Sequence, residues 1–118
     1  MFRFETLKVW QKSIDVLDKL IDIANNLTKK NLFIFAKQLR GAGLSISNNI
    51  AEGTGCDTPK ETRLFLTYAK RSAFETVSML IVFNRRKYIT DSTKEQLIAE
   101  IEELCKMMTG FGRSLSSR

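Results

Sequence analysis

The 118-residue chain has no histidine, one proline and two cysteines, and its apolar runs are all too short to span a bilayer. Without histidine there is no Ser-His-Asp or Cys-His nucleophile system and no His-ligated metal, and the usual proton shuttle near pH 7 is missing. Carboxylates and lysines remain as the acid–base repertoire, which lowers the expectation of an enzyme. Cys56 and Cys105 form no CxxC pair. They are too few for a disulfide framework or a zinc site and suit a reducing compartment as free, inert thiols. Residues 1–10 hold Arg3, Glu5 and Lys8 and lack the apolar core of a signal peptide. Apolar residues at 43%, charged residues at 27% and six glycines match an ordinary globular chain, not a loop-rich or disordered one. The expectation is a single cytoplasmic domain over residues 1–118, with no membrane segment, no cofactor and no metal.

What the chain does have is helical periodicity. Leu7, Trp10, Ile14, Leu17, Ile21 and Ala24 recur at spacings of three and four, and Leu20 and Leu27 widen that seam. This predicts a core-facing helix over about 6–27, opening at Thr6. A second helix over about 32–52 carries Phe35, Leu39, Ala42, Ile46 and Ile50. Gly41 and Gly43 lie inside it, each costing roughly 1 kcal/mol against alanine unless the helix bends or a neighbour approaches closely. Gly53 is placed to end that helix in the left-handed conformation.

The third helix, over about 59–87, has the clearest start. Thr58-Pro59-Lys60-Glu61 combines an N-cap threonine, proline at the first helical position and a glutamate three residues after the cap. Phe65, Ala69, Ser72, Thr76, Met79, Leu80 and Phe83 follow its period. A second capping box, Ser92-Thr93-Lys94-Glu95, opens a helix over about 93–113 bearing Leu97, Ile101, Leu104, Met108 and Phe111. A frayed tail from Ser114 to Arg118 follows. No stretch alternates with the period of a strand. The predicted fold is therefore all-α, an antiparallel up-down-up-down four-helix bundle. Phe2, Phe4, Phe33, Phe35, Phe74 and Phe111 exceed what one thin core needs, a surplus that suggests self-association.

Nineteen Lys and Arg against thirteen Asp and Glu leave a net charge of +6. Lys60, Arg63, Lys70, Arg71, Arg85, Arg86 and Lys87 fall in one segment with only Glu61 and Glu75, so that segment accounts for +5. Clustered positive charge is the electrostatic footprint of phosphate binding. The competing interpretation is a solvated helix face with cations favoured at a helix C-terminus. The candidate phosphate contacts are Lys70, Arg71, Arg85, Arg86 and Lys87, with Arg40 and Lys37 on the second helix. Gln38, Ser45, Asn49 and Glu52 form a polar stripe on that helix. Glu52 as a general base beside Ser45 has no partner base or metal cluster, so hydrogen bonding at a packed surface is the better account. Glu52 is expected to pair with Arg71 or Arg40. Trp10 belongs to the core seam, and Gly53-Thr54-Gly55 is no P-loop because no Gly-Lys-Ser/Thr follows.

Three stretches together resemble a known family. They are Phe4-Glu5-Thr6-Leu7-Lys8-Val9-Trp10-Gln11-Lys12; Gln38-Leu39-Arg40 through Ser45-Ile46-Ser47-Asn48-Asn49-Ile50-Ala51-Glu52-Gly53; and Phe65-Leu66-Thr67-Tyr68-Ala69-Lys70-Arg71-Ser72-Ala73-Phe74-Glu75. The pattern resembles the four-helix bundle proteins encoded in intervening sequences of bacterial 23S rRNA genes, which are similar to the accessory variability proteins of diversity-generating retroelements. The resemblance implies a ring-shaped homopentamer and, from the retroelement relatives, association with nucleic acid and a reverse transcriptase. Gly41 and Gly43 depart from the pattern, which has bulkier residues there, and the short loop before the second helix lacks the family's usual proline. The resulting expectation is a non-catalytic homo-oligomer that binds RNA or DNA through phosphates. The alternative is a protein-interaction or scaffold module in which the same charges serve solubility and intersubunit pairing.

Overall fold

The computed structural model describes residues 1–115. A 3-10 turn at Arg3–Thr6 leads into four helices: α1 Lys8–Lys29, α2 Phe33–Thr54, α3 Pro59–Arg85 and α4 Asp91–Ser114. No strand is present among the described residues, and the tail expected beyond Leu115 lies outside them. Contacts run around the bundle, α1 to α2, α2 to α3, α3 to α4 and α4 back to α1, while α1 does not meet α3 and α2 does not meet α4. The result is a rod of 49 × 23 × 20 Å, so each long face is only two helices wide.

Helix ends explain how the chain turns. Both α1 and α3 finish with a non-glycine residue in the left-handed region, Asn31 at φ 63 and Lys87 at φ 62. After α1, Leu32 N–H donates to the Leu27 carbonyl at 2.9 Å and Asn31 N–H to that of Thr28 at 3.0 Å. After α3, Tyr88 N–H donates to Phe83 at 2.8 Å and Lys87 N–H to Asn84 at 2.9 Å. This paired pattern is the Schellman stop, and its accompanying apolar contact is present as Tyr88 against Phe83, ring centroids 6.5 Å apart. The left-handed stop predicted at Gly53 does not occur. No glycine has positive φ, Gly53 lies within α2, and that helix ends at Gly55 with φ −86.

At the helix starts, Thr58 caps α3 as predicted, accepting from Glu61 N–H at 3.2 Å with Pro59 in the first turn. The Glu61 carboxylate accepts from the Thr58 hydroxyl rather than reaching back to the cap's N–H. For α4 the predicted box at Ser92 is displaced by two residues: Thr90 is the cap, accepting from Thr93 N–H at 3.1 Å. Thr90 is extended, with ψ 161, and Asp91 then puts a carboxylate in the first turn, where the macrodipole favours it. For α1 the cap position is Leu7, because the Thr6 hydroxyl is spent on the Arg3 carbonyl.

The core is a column of Val16, Leu20, Leu27, Leu39, Ile46, Ile50, Leu80, Phe83, Ile101, Leu104 and Met108, with Ala36, Ala69 and Ala73 where helices come close. Fully burying each large side chain contributes about 1.5–3 kcal/mol. On α1 the seam differs from the predicted one. Leu17, Leu20, Ala24 and Leu27 of the predicted seam are buried and Leu7 and Trp10 pack against the core, but Ile14 and Ile21 are half-buried and outside the core cluster, and Val9, Ser13, Val16 and Ile23 complete the buried side in their place. Trp10 is half-buried against the core with its ring edge on Phe4, centroids 5.0 Å apart. The small residue Ser13 marks the inner line, and its hydroxyl is satisfied by the Trp10 carbonyl.

Of Gly41 and Gly43 in the middle of α2, one is required by packing. A Cβ on Gly43 would lie 3.0 Å from both Leu17 Cδ1 and Leu20 Cδ1, so α1 and α2 touch through this glycine, while Gly41 has nothing within 4 Å. Gly53 plays the same part against α3: a Cβ there would meet Phe65 Cβ at 3.1 Å and the Thr62 carbonyl at 3.3 Å. Its own carbonyl accepts from the buried Thr62 hydroxyl at 2.8 Å. No buried side-chain polar atom lacks a partner among the described residues. Gly41→Ala is therefore expected to raise the unfolding free energy by about 1 kcal/mol in urea denaturation. Gly43→Leu is expected to lower it by about 1–3 kcal/mol, because the methylenes have no space.

Candidate nucleic-acid interface

The predicted cations fall into three places. Arg85, Arg86 and Lys87 are exposed together where α3 ends. Lys37 and Arg40 lie one turn apart on α2, but Arg40 is tied to α1, donating to Asn25 Oδ1 at 2.9 Å and to Thr28 Oγ1 at 3.2 Å. Lys70 and Arg71 point different ways from the middle of α3: Lys70 is half-buried and donates to Thr109 Oγ1 on α4, and Arg71 is exposed.

The structure adds residues that the sequence reading passed over. Lys30, from the turn after α1, lines the same pocket as Arg85, Lys87 and Tyr88 from the end of α3. The two turns repeat one pattern, Lys29-Lys30-Asn31-Leu32 and Arg85-Arg86-Lys87-Tyr88: two cations, a left-handed residue and an apolar residue folded back on the core. Lys30, Arg85 and Lys87 meet in that pocket, where Asp91 is the one carboxylate among the lining residues, and Lys29 and Arg86 are exposed on the same two helix ends, so five cations belong to this end. The recurrence of the tetrapeptide pattern is the signal in the sequence. A second cationic strip, Arg63, Lys70 and Arg113, lines the groove between α3 and α4. Lys106 continues it. Nothing local in the sequence marks that strip, since it arises only where two helices face each other.

Carboxylates do little to neutralise these groups. The ion pairs among the described residues are Lys19–Glu100 at 2.6 Å and Lys12–Glu100 at 3.3 Å, both between α1 and α4. The Lys19 hydrogen bond, with Lys12 adding to it, holds the Glu100 carboxyl below its ordinary value against the opposing effect of burial. The predicted pairing of Glu52 with Arg71 or Arg40 is absent: Glu52 is exposed and makes no ion pair, and Arg40 is spent on Asn25 and Thr28.

The polar stripe on α2 is split. Gln38 and Glu52 are exposed, whereas Ser45 and Asn49 are half-buried and linked, Asn49 Nδ2 donating to the Ser45 carbonyl at 2.8 Å. Ser72 donates to Ser45 Oγ at 2.7 Å, tying α2 to α3. With its hydroxyl already in that network, Ser45 is a packing residue. Both thiols are raised above their ordinary value, chiefly by desolvation.

Two measurements follow from these charges. Glu100 has a depressed pKa when folded, so its stabilisation is present above the ordinary carboxylate range and is lost as pH falls through it. Glu100→Gln should lose less stability than the parent chain on acidification from about pH 6 to pH 3, read by thermal unfolding. Lys87 is strained by its left-handed backbone, which costs a side-chain-bearing residue about 1–2 kcal/mol. Lys87→Gly should accordingly raise the unfolding free energy by about 1 kcal/mol while removing a cation from the cluster.

Comparison with known proteins agrees with this architecture. The structure is similar to a crystal structure from Bacteroides thetaiotaomicron, described as a protein of unknown function from the S23 ribosomal protein family. The TM-score is 0.83 at 24% identity, covering 89% of this chain and 98% of that one. A search among curated proteins finds no match. A family model described as 23S rRNA-intervening sequence protein matches residues 5–110, nearly the whole length, and the chain belongs to that family.

Proposed function

We propose that this protein is a non-catalytic nucleic-acid-binding bundle that works as a homo-oligomer and holds RNA or DNA through phosphate contacts. The five-cation cluster at the α1 and α3 ends carries this proposal, because those charges have no ion-pair partner among the described residues and stand exposed at the helix ends. Arg85, Arg86 and Lys87 with Lys29 and Lys30 form the primary contact, and Lys37 and Arg71 extend it. Lys70 and Arg40 act from the margins, since each is already hydrogen-bonded within the protein. Phosphate contacts of this kind position a strand without reading its bases. The strand is RNA or DNA, and a reverse transcriptase is the protein partner that the retroelement resemblance suggests.

The helices are inferred to run up-down-up-down. Residue numbers fall on one helix as they rise on its neighbour: Arg40 bonds to Asn25 while Gly43 packs on Leu20, and Gly53 bonds to Thr62 while Ser45 bonds to Ser72. We take the assembly to be a homopentameric ring, in which repeated weak phosphate contacts sum to useful avidity. The scaffold alternative draws support from α3, whose exposed face carries Phe74, Ile81 and Val82.

Fluorescence anisotropy with a generic single-stranded RNA at several salt concentrations tests the proposal. Affinity is expected to fall steeply with salt. The triple variant Arg85→Ala, Arg86→Ala, Lys87→Ala should reduce the log–log salt slope by about 2, at ~0.7 per single-strand phosphate contact. No binding at low salt, or binding indifferent to salt, leaves the scaffold alternative in its place.

A further inference from the structure

We propose that two opposite long faces of this bundle bind each other between copies: the α3–α4 groove of one copy receives the α1–α2 face of the next. This rests on the homo-oligomer reading above and names the surfaces that would build it.

The groove has two contiguous halves. Its apolar half, a cleft of about 600 Å³, is lined by Phe74, Val77, Ile81, Val82 and Ile98. Phe74 is 72% exposed, far more than a core aromatic. Phe74, Cys105 and Lys106 also line the next stretch of the groove, where Lys70 and Arg113 begin. Arg63 completes the cationic half. From Ile98 to Arg113 the groove runs roughly 22 Å along α4, about four helical turns.

The α1–α2 face has the complementary character. Asp15, Asp18 and Asp22 are exposed along the outer side of α1, and none is in an ion pair. Ile14, Asp18, Ile21 and Asn25 share one stripe at helical spacing, and both isoleucines are half-buried outside the core cluster. Because Gly43 packs on Leu17 and Leu20, Leu44 stands level with this stripe, and it is 46% exposed. Ile14, Ile21 and Leu44 offer apolar surface to the cleft, and the aspartates interleaved with the isoleucines on α1 offer carboxylates to the cations that border it.

The geometry also decides the type of contact. Since α1 does not meet α3 and α2 does not meet α4, the two faces lie on opposite sides of the rod. Pairing a face with its own copy would bring Asp15, Asp18 and Asp22 against the same three with only Arg40 of opposite sign, already bonded to Asn25, or Arg63, Lys70, Lys106 and Arg113 against the same four with only Glu102 among them. Pairing unlike faces is heterologous, the kind of contact that closes into a ring or continues as a filament.

A charge exchange tests this. Variant one carries Asp15→Lys, Asp18→Lys and Asp22→Lys; variant two carries Arg63→Glu, Lys106→Glu and Arg113→Glu. All six positions are exposed. By sedimentation velocity the parent chain should assemble, each variant alone should fall to monomer mass, and the equimolar mixture should assemble again, because the new lysines then face the new glutamates. Either variant keeping the parent mass overturns the proposal, and so does a mixture that stays monomeric while both variants unfold cooperatively. If a triple variant loses cooperative unfolding, Asp18→Lys and Lys106→Glu replace the triples under the same criteria. A parent chain that is itself monomeric at micromolar concentration overturns the homo-oligomer reading instead, and this inference with it.

Discussion

Two left-handed residues, Asn31 and Lys87, set the geometry on which the rest of this molecule depends. Each stops a helix abruptly and sends the next residue, Leu32 or Tyr88, back onto the core. Phe35 at the start of α2 then packs on both Phe83 and Tyr88, with centroids 5.8 and 6.2 Å apart, so an aromatic cluster joins the two helical pairs at this end. The cations immediately before the stops have no freedom to disperse. They are held on a firm apolar base, beside helix C-termini whose partial negative charge offsets part of their mutual repulsion.

That arrangement separates stability from charge. The fold is held by buried aliphatic residues, by close helix approaches at Gly43 and Gly53, and by hydroxyls such as Thr62 that satisfy buried carbonyls. Electrostatics enters the interior contacts only through Glu100 with Lys12 and Lys19. A net charge of +6 is thus almost wholly surplus to folding, and surplus like charge opposes a compact state. Lys87 adds a second cost, since a lysine occupies a backbone position that suits glycine. Local choices that work against stability and concentrate on one exposed end support the binding role proposed for it.

The sequence showed much of this, and the omissions have physical causes. Helix number and class were legible because apolar spacing of three and four leaves no room for strands. Thr58-Pro59 marked the start of α3 because a cap and a proline at its first position are local signals. The α4 start was two residues off because Thr90 and Ser92 both offer a hydroxyl, and only the extended backbone at Thr90 decides between them. On α1, two stripes have nearly the same spacing. Leu17 and Leu20 lie on the contact with α2 through Gly43, and the sequence left open which neighbouring stripe joins them, Ile14–Ile21 or Val9–Val16–Ile23; it also left that glycine's role open between close contact and helix bend. Gly53 was misread for the same reason. The cationic strip along α3 and α4 was invisible because Arg63 and Arg113 are fifty residues apart in sequence.

The two charged regions also differ in direction, and this matters for how they would work together. The groove and the aspartate stripe lie on the long sides of the rod, whereas Lys30, Arg85, Arg86 and Lys87 lie at one end of it. Contacts through unlike sides relate every copy to the next by the same operation, and where its axis runs along the rod all copies keep the same end facing the same way. In the proposed ring the cationic ends would then form one continuous rim, with no copy inverted. A phosphate backbone laid along that rim meets the same contact once per subunit, which lets individually weak, sequence-tolerant contacts hold a strand. An isologous dimer would set some of these ends in opposite directions and lose the effect. With acid on one side, base on the opposite side and a further cationic cluster at the end, the proposed assembly and the proposed binding would use different surfaces and would not compete.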